Sequence, residues 1–284
     1  MSLPRDLYRT FISALPPKWS LAIQHFRHIA RWPDIDHPQT FNEKVLHRKL
    51  NEQNQRFAEL SDKVAVKDFV ARFLGEKYVV PTTWAGVSLP EDIGSWERPF
   101  VIKANHASGW NYFVLAGQVV DWAAVRRESQ HWLESPWSPW RHERWYNRMP
   151  RQLLVEPVIG DGTASLSDYK FFVFDGVVRM VQVDIDRFTD HRRALYSPDW
   201  KRLPVRLHYP MAKRDLPPPM HLAEMLEIAS RLGQDSPFVR IDLYDLPEGP
   251  KFGEITFAPG GGTERFTPAA FDRELGASWT GPVV

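Results

Sequence analysis

Two stretches near the end of the chain, Phe238–Tyr244 and Lys251–Gly260, concentrate residue types that could do chemistry. Both alternate apolar and polar side chains, and the Pro- and Gly-bearing link between them predicts a hairpin. Residues two apart in a strand share a face. Arg240 and Asp242 therefore point one way, and Val239, Ile241 and Leu243 the other. Glu254 and Thr256 likewise share a face, opposite Ile255 and Phe257. Pairing the two strands would gather two carboxylates, a guanidinium and a hydroxyl on one polar surface. Carboxylates held together repel, and need a proton or a cation between them. Hard oxygen ligands suit Mg²⁺, which takes one or two carboxylates and keeps positions for substrate phosphates. The plain alternative is a half-solvated hairpin with its charges in water.

Cations that could face such a site lie far upstream. Phe100–Lys103 is a short apolar run ending in lysine, which predicts a buried strand with a polar tip. A buried ammonium needs a partner, and a ligand phosphate would be one. Residues 105–111, including Ser108 and Gly109, form a small-residue turn before the next apolar run, Tyr112–Leu115. Backbone N–H groups in such a loop can cradle phosphate oxygens. Ser61 or Asp62 can cap a helix whose buried side carries Val66, Phe69, Val70, Phe73 and Leu74. Lys63 and Lys67 stand one turn apart on another side, where the plain reading is two solvated lysines, and Gly75 can close the helix.

The elements that would position these groups follow from pattern. Helical segments are expected up to about residue 38, broken at Pro16 and Pro17, with Trp19, Leu21, Ile23, Phe26, Ile29 and Trp32 among basic residues. A basic amphipathic helix can lie on a membrane surface, although packing on its own domain is the commoner use. Thr40 or Asn42 can cap the next helix, with Val45, Leu46 and Leu50 inward. Tyr78–Pro81 reads as a strand, and a helix is expected from about residue 121 to 134. Tryptophans 122, 132, 137, 140 and 145 lie among arginines, where they could stack sugars or bases, but core packing is their usual role. Leu153–Ile159 is apolar except for Glu156. Tyr169–Phe174 and Val177–Val183 flank Asp175-Gly176, a strong hairpin signal. Leu222, Met225, Leu226, Ala229 and Leu232 mark a further helix, ended by Gly233.

The 284 residues suffice for one large domain or two lobes, and 43% hydrophobic with 25% charged residues is ordinary for a globular protein. A net charge of +1 gives the whole molecule no strong attraction to nucleic acid or anionic lipid. Cysteine is absent, which excludes disulfides and thiolate metal sites and fits a reducing compartment. No apolar run reaches the roughly 18 residues of a spanning helix, and the N-terminus lacks a signal-peptide core, so the cytosol is the expected location.

In order, Asp62-Lys63, Phe-Val-Ile-Lys103, Val-Glu156-Pro-Val, Asp-Tyr-Lys170, Arg240-Ile-Asp242 and Gly-Glu254-Ile-Thr256 with Pro259-Gly260 resemble the ATP-grasp superfamily. Phe41-Asn-Glu-Lys44, Asp168–Phe172, Asp184–Arg187 and Phe252–Phe257 bring the resemblance closer to the TupA-like ATP-grasp proteins, associated with teichuronopeptide and surface-polysaccharide synthesis. The resemblance covers about residues 40–280. It implies an α+β fold whose two lobes, with mainly antiparallel sheets, clasp ATP. Residues 1–60 would form an N-terminal helical segment and 61–284 the catalytic region, with about 100–155 as the smaller, nucleotide-clamping lobe. Lys63 and Lys103 would contact phosphates, and Ser108 and Gly109 would close over them. Glu156, Pro157 and Val158 would meet adenine and ribose, and Asp168 and Lys170 would line the nucleotide site. Asp242 and Glu254 would hold Mg²⁺, with Arg240 steadying the reaction centre. The asparagine usual in the metal site corresponds to Thr256, a weaker ligand, which leaves the number of metal ions open. The N-terminal region is also shorter than the domain that often precedes the grasp lobes.

The implied reaction joins a carboxylate to an amine through an acyl phosphate, with an amino acid and a uronic-acid-containing glycan or its precursor as substrates. Arg187, His191 and Arg193 could recognise an anionic acceptor, or could be a solvated basic hairpin end. The expected location extends to the inner face of the membrane if the N-terminal segment makes peripheral contact. Two other readings stand beside this one: a glycosyltransferase using Asp184 and Asp186 as an Asp-x-Asp metal site, and a nucleotide-binding module without turnover.

Overall fold

The computed structural model describes residues 5–160, 167–186 and 189–283. Two helices come first, α1 (Arg5–Ala14) and α2 (Pro17–Ile29), and the break falls at the two prolines. Pro17 opens α2, where its missing N–H costs nothing. Helix α3 (Phe41–Asn51) starts at Thr40, whose hydroxyl accepts from the Glu43 N–H while the Glu43 carboxylate accepts from the Thr40 N–H. This reciprocal pair satisfies two otherwise orphaned donors.

A short helix that periodicity did not reveal, α4 (Arg56–Ser61), precedes α5 (Ala65–Leu74). The Asp62 carboxylate accepts from the N–H groups of Val64 and Ala65 in the turn that leads into α5, whose N-cap position is Val64. Lys63 therefore sits in the turn before α5, not on it. Tyr78–Pro81 is not a strand. A 3₁₀ turn at Glu76–Tyr78 is followed by irregular chain, with Tyr78 and Val79 packed against the main core. Short apolar runs mark burial better than they mark strands.

The smaller sheet contains β1 (Trp84–Gly86), β2 (Phe100–Ala104), β3 (Asn111–Val114) and β4 (Leu153–Pro157), in the order β1-β4-β2-β3, all antiparallel. Helix α6 (Trp122–Glu134) begins at the Asp121 cap. Val125 and Trp132 of this helix join Trp137, Phe100, Ile102 and Val155 in the small lobe's own core. Trp132 and Trp137 thus take the plain role of core residues.

The larger sheet contains β5 (Asp168–Phe174), β6 (Val177–Ile185), β7 (Arg192–Tyr196), β9 (Val239–Leu246) and β10 (Gly249–Thr256), in the antiparallel order β10-β9-β5-β6-β7. A two-stranded ladder joins β8 (Arg206–Leu207) to β11 (Phe266–Thr267). Asp175 and Gly176, with φ of 47° and 76°, make the two-residue turn between β5 and β6. Helix α7 (Leu222–Gly233) packs on this sheet so tightly that a Cβ on Gly233 would lie 2.5 Å from Val173 Cγ1. The last helix, α8 (Ala270–Ala277), packs on α3.

Phe41 and Val45 of α3, with Phe57 of α4, share the core of the large sheet. Arg48, only 1% exposed, donates to the carbonyls of Phe238, Phe257 and Val283 and lies over the Trp279 ring. Helix α3 therefore clamps the C-terminal segment onto the sheet. Among the described residues, no helix is long and apolar enough to cross a membrane.

Candidate active site

A cleft of about 770 Å³ opens between the two sheets. Lys103, Glu156, Pro157 and Val158 line it from the small sheet, and Asp168, Lys170, Arg240, Asp242 and Glu254 from the large one. Lys63, Lys67 and the loop residues Ser108 and Gly109 complete the wall.

The large-sheet side is built by register. Lys170 pairs with Asp242 across β5 and β9, and Asp242 with Glu254 across β9 and β10, so all three share a face. A bulge at Gly253 makes this possible. Phe252 faces the core, and uninterrupted alternation would send Glu254 there too. The extra residue lets the pattern restart, so Glu254 and Thr256 face the cleft side while Ile255 and Phe257 stay buried. A Cβ on Gly253 would meet the Asp242 carbonyl at 3.0 Å and the Tyr244 ring at 3.1 Å.

Arg240 joins the acidic groups. Its Nε donates to Asp242 Oδ1 at 2.7 Å, and one terminal nitrogen reaches Asp242 Oδ2 and Glu254 Oε1, each at 2.8 Å. The same nitrogen reaches Thr256 Oγ1 at 3.0 Å, and that hydroxyl donates to Glu254 Oε1. Lys170 Nζ donates to Asp242 Oδ2 at 2.9 Å and also to Asp168. Burial pushes the Asp242 carboxyl above its usual range despite Arg240 and Lys170. Burial also pushes Glu254 upward, but Arg240, Lys170 and Lys63 outweigh it and hold that group at about 2. Burial works against the Arg240 charge, yet Asp242 and Glu254 raise its pKa further.

The oxygen donors suit a hard divalent cation. Two carboxylates stand opposite each other, and Glu254 directs both of its bonds, to Arg240 and Thr256, through Oε1. Its side chain is 44% exposed to the cleft side. Few protein ligands with open positions is the pattern of a magnesium site completed by phosphates. Among the described residues, no group of three or more His, Cys, Asp or Glu side chains is arranged to hold a metal by itself.

On the opposite wall, the partner of Lys103 is Glu156, at 2.5 Å, and Lys67 holds the other oxygen of the same carboxylate. Lys67 also donates to Thr82. Burial raises the Glu156 pKa, but Lys103 and Lys67 reverse the effect and leave it below its usual range. Lys63 Nζ donates to the carbonyls of Asn105 and Ala107, and burial lowers its pKa. The loop after β2 thus has a fixed base. Asn105 is buried and bonded to Asp62, Pro150 and Gln152. Its tip is open: Ser108 and Gly109 are exposed, and Gly109 has a φ of +80° with no atom within 4 Å of where a Cβ would stand.

The polar face continues across the large sheet. Asp184 on β6 accepts from Gln182 and from Arg193 Nε at 2.6 Å, and Arg193 also reaches Glu264 at 3.1 Å. Arg193 is 6% exposed and lies beyond the cleft lining. His191 approaches Asp184 at 3.2 Å and stacks on Tyr209. Arg187 lies outside the described residues. Asp184 is thus already matched by a guanidinium, whereas Asp186 is exposed in a left-handed turn. Lys67 and Tyr244 are cleft residues to which the sequence pattern gave no role. Tyr244 could have been found from its parity with Arg240 and Asp242, and Lys67 from its position one turn after Lys63.

The family described as TupA-like ATPgrasp matches residues 43–280. Among solved structures, a D-alanine–D-alanine ligase from Bacillus anthracis complexed with ATP is 13% identical, with 78% of this chain and 64% of that chain covered and a TM-score of 0.45. The ATP-grasp ligase PsnB, complexed with a phosphomimetic variant of its minimal precursor, Mg and ADP, is 11% identical, with coverages of 79% and 60% and a TM-score of 0.43. A D-alanine–D-alanine ligase from Helicobacter pylori is 15% identical, with coverages of 78% and 61% and a TM-score of 0.40. The chain spans less than two thirds of the length of each of these structures. No curated protein matches the sequence.

Proposed function

We propose that this chain, which belongs to the TupA-like ATP-grasp family, is an ATP- and Mg²⁺-dependent carboxylate–amine ligase. The observation that carries the reading is one cleft lined by Lys63 and Lys103 from one side and by Arg240, Asp242 and Glu254 from the other.

A carboxylate is a poor acyl donor because oxide would have to leave. In the proposed reaction a substrate carboxylate oxygen attacks the γ-phosphorus of ATP and ADP departs. An amine nitrogen then attacks the acyl carbon, and phosphate leaves with the electron pair of the C–O bond while the nitrogen loses a proton. Lys63 and Lys103 would neutralise phosphate oxygens, Lys103 exchanging some of its contact with Glu156 for the ligand. Arg240 would balance negative charge that develops at the acyl centre, a preorganised electrostatic role. Asp242 and Glu254, with Thr256 as a minor donor, would hold Mg²⁺, which supplies charge neutralisation between phosphates. Glu156, Pro157 and Val158 would border adenine and ribose, Asp168 and Lys170 would line the nucleotide site, and Ser108 and Gly109 would close over the phosphates.

The substrates we assign are an amino acid and a uronic-acid-bearing glycan or precursor, with the reaction in the cytoplasm. The basic end of β6 and β7, through Arg187 and His191, is the proposed acceptor contact, with Arg193 fixing its shape through Asp184 and Glu264. The test is thermal-shift titration with Mg-ATP and with a UDP-sugar, followed by an acceptor screen read as ADP release and product mass. Stabilisation by Mg-ATP and a dehydrated amide product are expected. Stabilisation by the UDP-sugar alone would overturn the assignment.

A further inference from the structure

Helix α2 packs Leu21 and Ala22 against Ile35 and Leu46, yet leaves other large apolar side chains outward. Its buried side includes Ser20, Gln24 and His25. Gln24 donates to Ser20 and to the Trp140 carbonyl, His142 bonds the Ser20 hydroxyl, and the His25 ring bonds the Gly262 carbonyl. Its outward side carries Trp19, Ile23 and Phe26, at the i, i+4, i+7 spacing of a single stripe. Trp19 is 60% exposed, and Phe26 is stacked on Trp32, itself 55% exposed. Helix α1 adds Leu7 and Phe11, both at least half exposed. Among the described residues, five of the eleven exposed large apolar side chains thus fall between residues 7 and 32.

Charge separates the possible occupants of this face. Residues 5–32 contain five basic side chains, Arg5, Arg9, Lys18, Arg27 and Arg31, against the single acidic Asp6; Lys18 is paired with Asp36 at 2.5 Å and Arg31 with Glu43 at 3.0 Å. The whole chain is only +1, so the positive excess is concentrated here and the remainder is net acidic. Arg27 lies over the Tyr8 ring, beside the apolar stripe, and His28 has Arg27 and His208 as its charged neighbours. Aromatic rings flanked by arginine and histidine match the boundary between anionic headgroups and acyl chains, where the rings enter the interface and the cations stay with phosphate. A second copy of the chain would set this positive surface against itself.

We propose that the outward face of α1 and α2, centred on Trp19, Phe26 and Trp32, docks the protein on an anionic lipid bilayer. Trp19, Phe26 and Trp32 enter the interface, and Arg27 and its neighbours pair with the headgroups. The cleft residues take no part, so the proposal stands or falls apart from the ligase reading.

The test is co-sedimentation of the full chain with phosphatidylcholine vesicles, with and without phosphatidylglycerol, together with quenching of tryptophan fluorescence by brominated lipid. Binding should require the anionic lipid, weaken with salt and be accompanied by quenching. A triple variant, Trp19→Ser, Phe26→Ser, Trp32→Ser, should lose at least about tenfold in partitioning and lose the quenching, with an unchanged melting midpoint. Arg27→Glu should lower binding in a single step without the removal of any apolar group. Wild-type protein left in the supernatant with anionic vesicles would overturn the proposal, as would undiminished binding of the triple variant. So would a wild-type dimer that the triple variant converts to monomer, because the face would then belong to a second copy.

Discussion

Replacing Lys170 with methionine tests how the acidic side of the cleft is held. Lys170 and its partners Asp168 and Asp242 are each 4–6% exposed. Methionine keeps most of the volume and removes the charge, leaving Asp242 with Arg240 as its cation while Asp168 and Glu254 stay nearby. Breaking a buried ion pair by removing one partner costs about 3–5 kcal/mol. At about 2 °C per kcal/mol for a chain of this size, the melting midpoint should fall by roughly 6–10 °C near neutral pH. The sign of the pH dependence follows from Asp242, whose pKa burial already raises against the pull of Arg240 and Lys170. Without Lys170 it rises further, so the folded variant takes up a proton more readily than the unfolded chain as pH falls. The gap from wild type should therefore narrow as pH falls from neutral in scanning calorimetry. Millimolar Mg²⁺ alone should raise the midpoint of the variant more than that of wild type, because a divalent cation replaces the missing charge. A variant that melts with wild type at neutral pH, or a gap that widens on acidification, would refute this account of the charge balance.

Glu254→Gln should lower Mg-ATP turnover by roughly 10²–10³-fold, the usual effect of removing a group that stabilises transition-state charge, while circular dichroism stays unchanged. Wild-type turnover would remove Glu254 from the metal site. Lys103→Ala deletes a charge-assisted contact worth about 1.5–3 kcal/mol, so calorimetric titration with a non-hydrolysable ATP analogue should show affinity reduced about 10–100-fold. An unchanged Kd would count against its phosphate role. Gly253→Val forces side-chain atoms against the Asp242 carbonyl and the Tyr244 ring, which stand 3.0 and 3.1 Å from the first carbon. Moving β10 at this point should cost about 1–3 kcal/mol of stability and reduce turnover more than nucleotide binding; equal losses in both would show that the bulge does not position Glu254.

Much of the site was legible because strand parity is a short-range property. Arg240 with Asp242, Glu254 with Thr256 and Asp168 with Lys170 share faces by spacing alone, and Asp175-Gly176 announced its turn. Parity fails where the period is interrupted. Counting forward from Phe252 puts Glu254 in the core, counting back from Phe257 puts it in the cleft, and only the glycine between them hints that a bulge decides the matter. Long-range pairing was less legible still. Nothing in the local sequence says that Lys67 shares Glu156 with Lys103, or that Arg193 is closed off by Asp184 and Glu264. Helix α2 misleads in another way, since its apolar residues divide: Leu21 and Ala22 are buried, whereas Trp19 and Phe26 face outward.

The charges that line the cleft pair within each wall, and that pairing bears on the proposed chemistry. Five cations and four carboxylates among the described residues line the cleft; Lys63 is held by backbone carbonyls, and the others fall into two clusters. Glu156 is held between Lys67 and Lys103, while Asp168, Asp242 and Glu254 share Lys170 and Arg240. A triphosphate arriving alone competes with Glu156 for the lysines and brings its negative charge towards Asp242 and Glu254. A divalent cation arriving alone competes with Arg240 and Lys170 for the carboxylates. Each therefore displaces a partner that is already well placed. Arriving together, phosphate takes over the cations and the metal takes over the carboxylates, so the displaced groups gain new partners without being left unpaired in a low-dielectric cleft. On this reading, the ion pairs within each wall also couple nucleotide affinity to the metal.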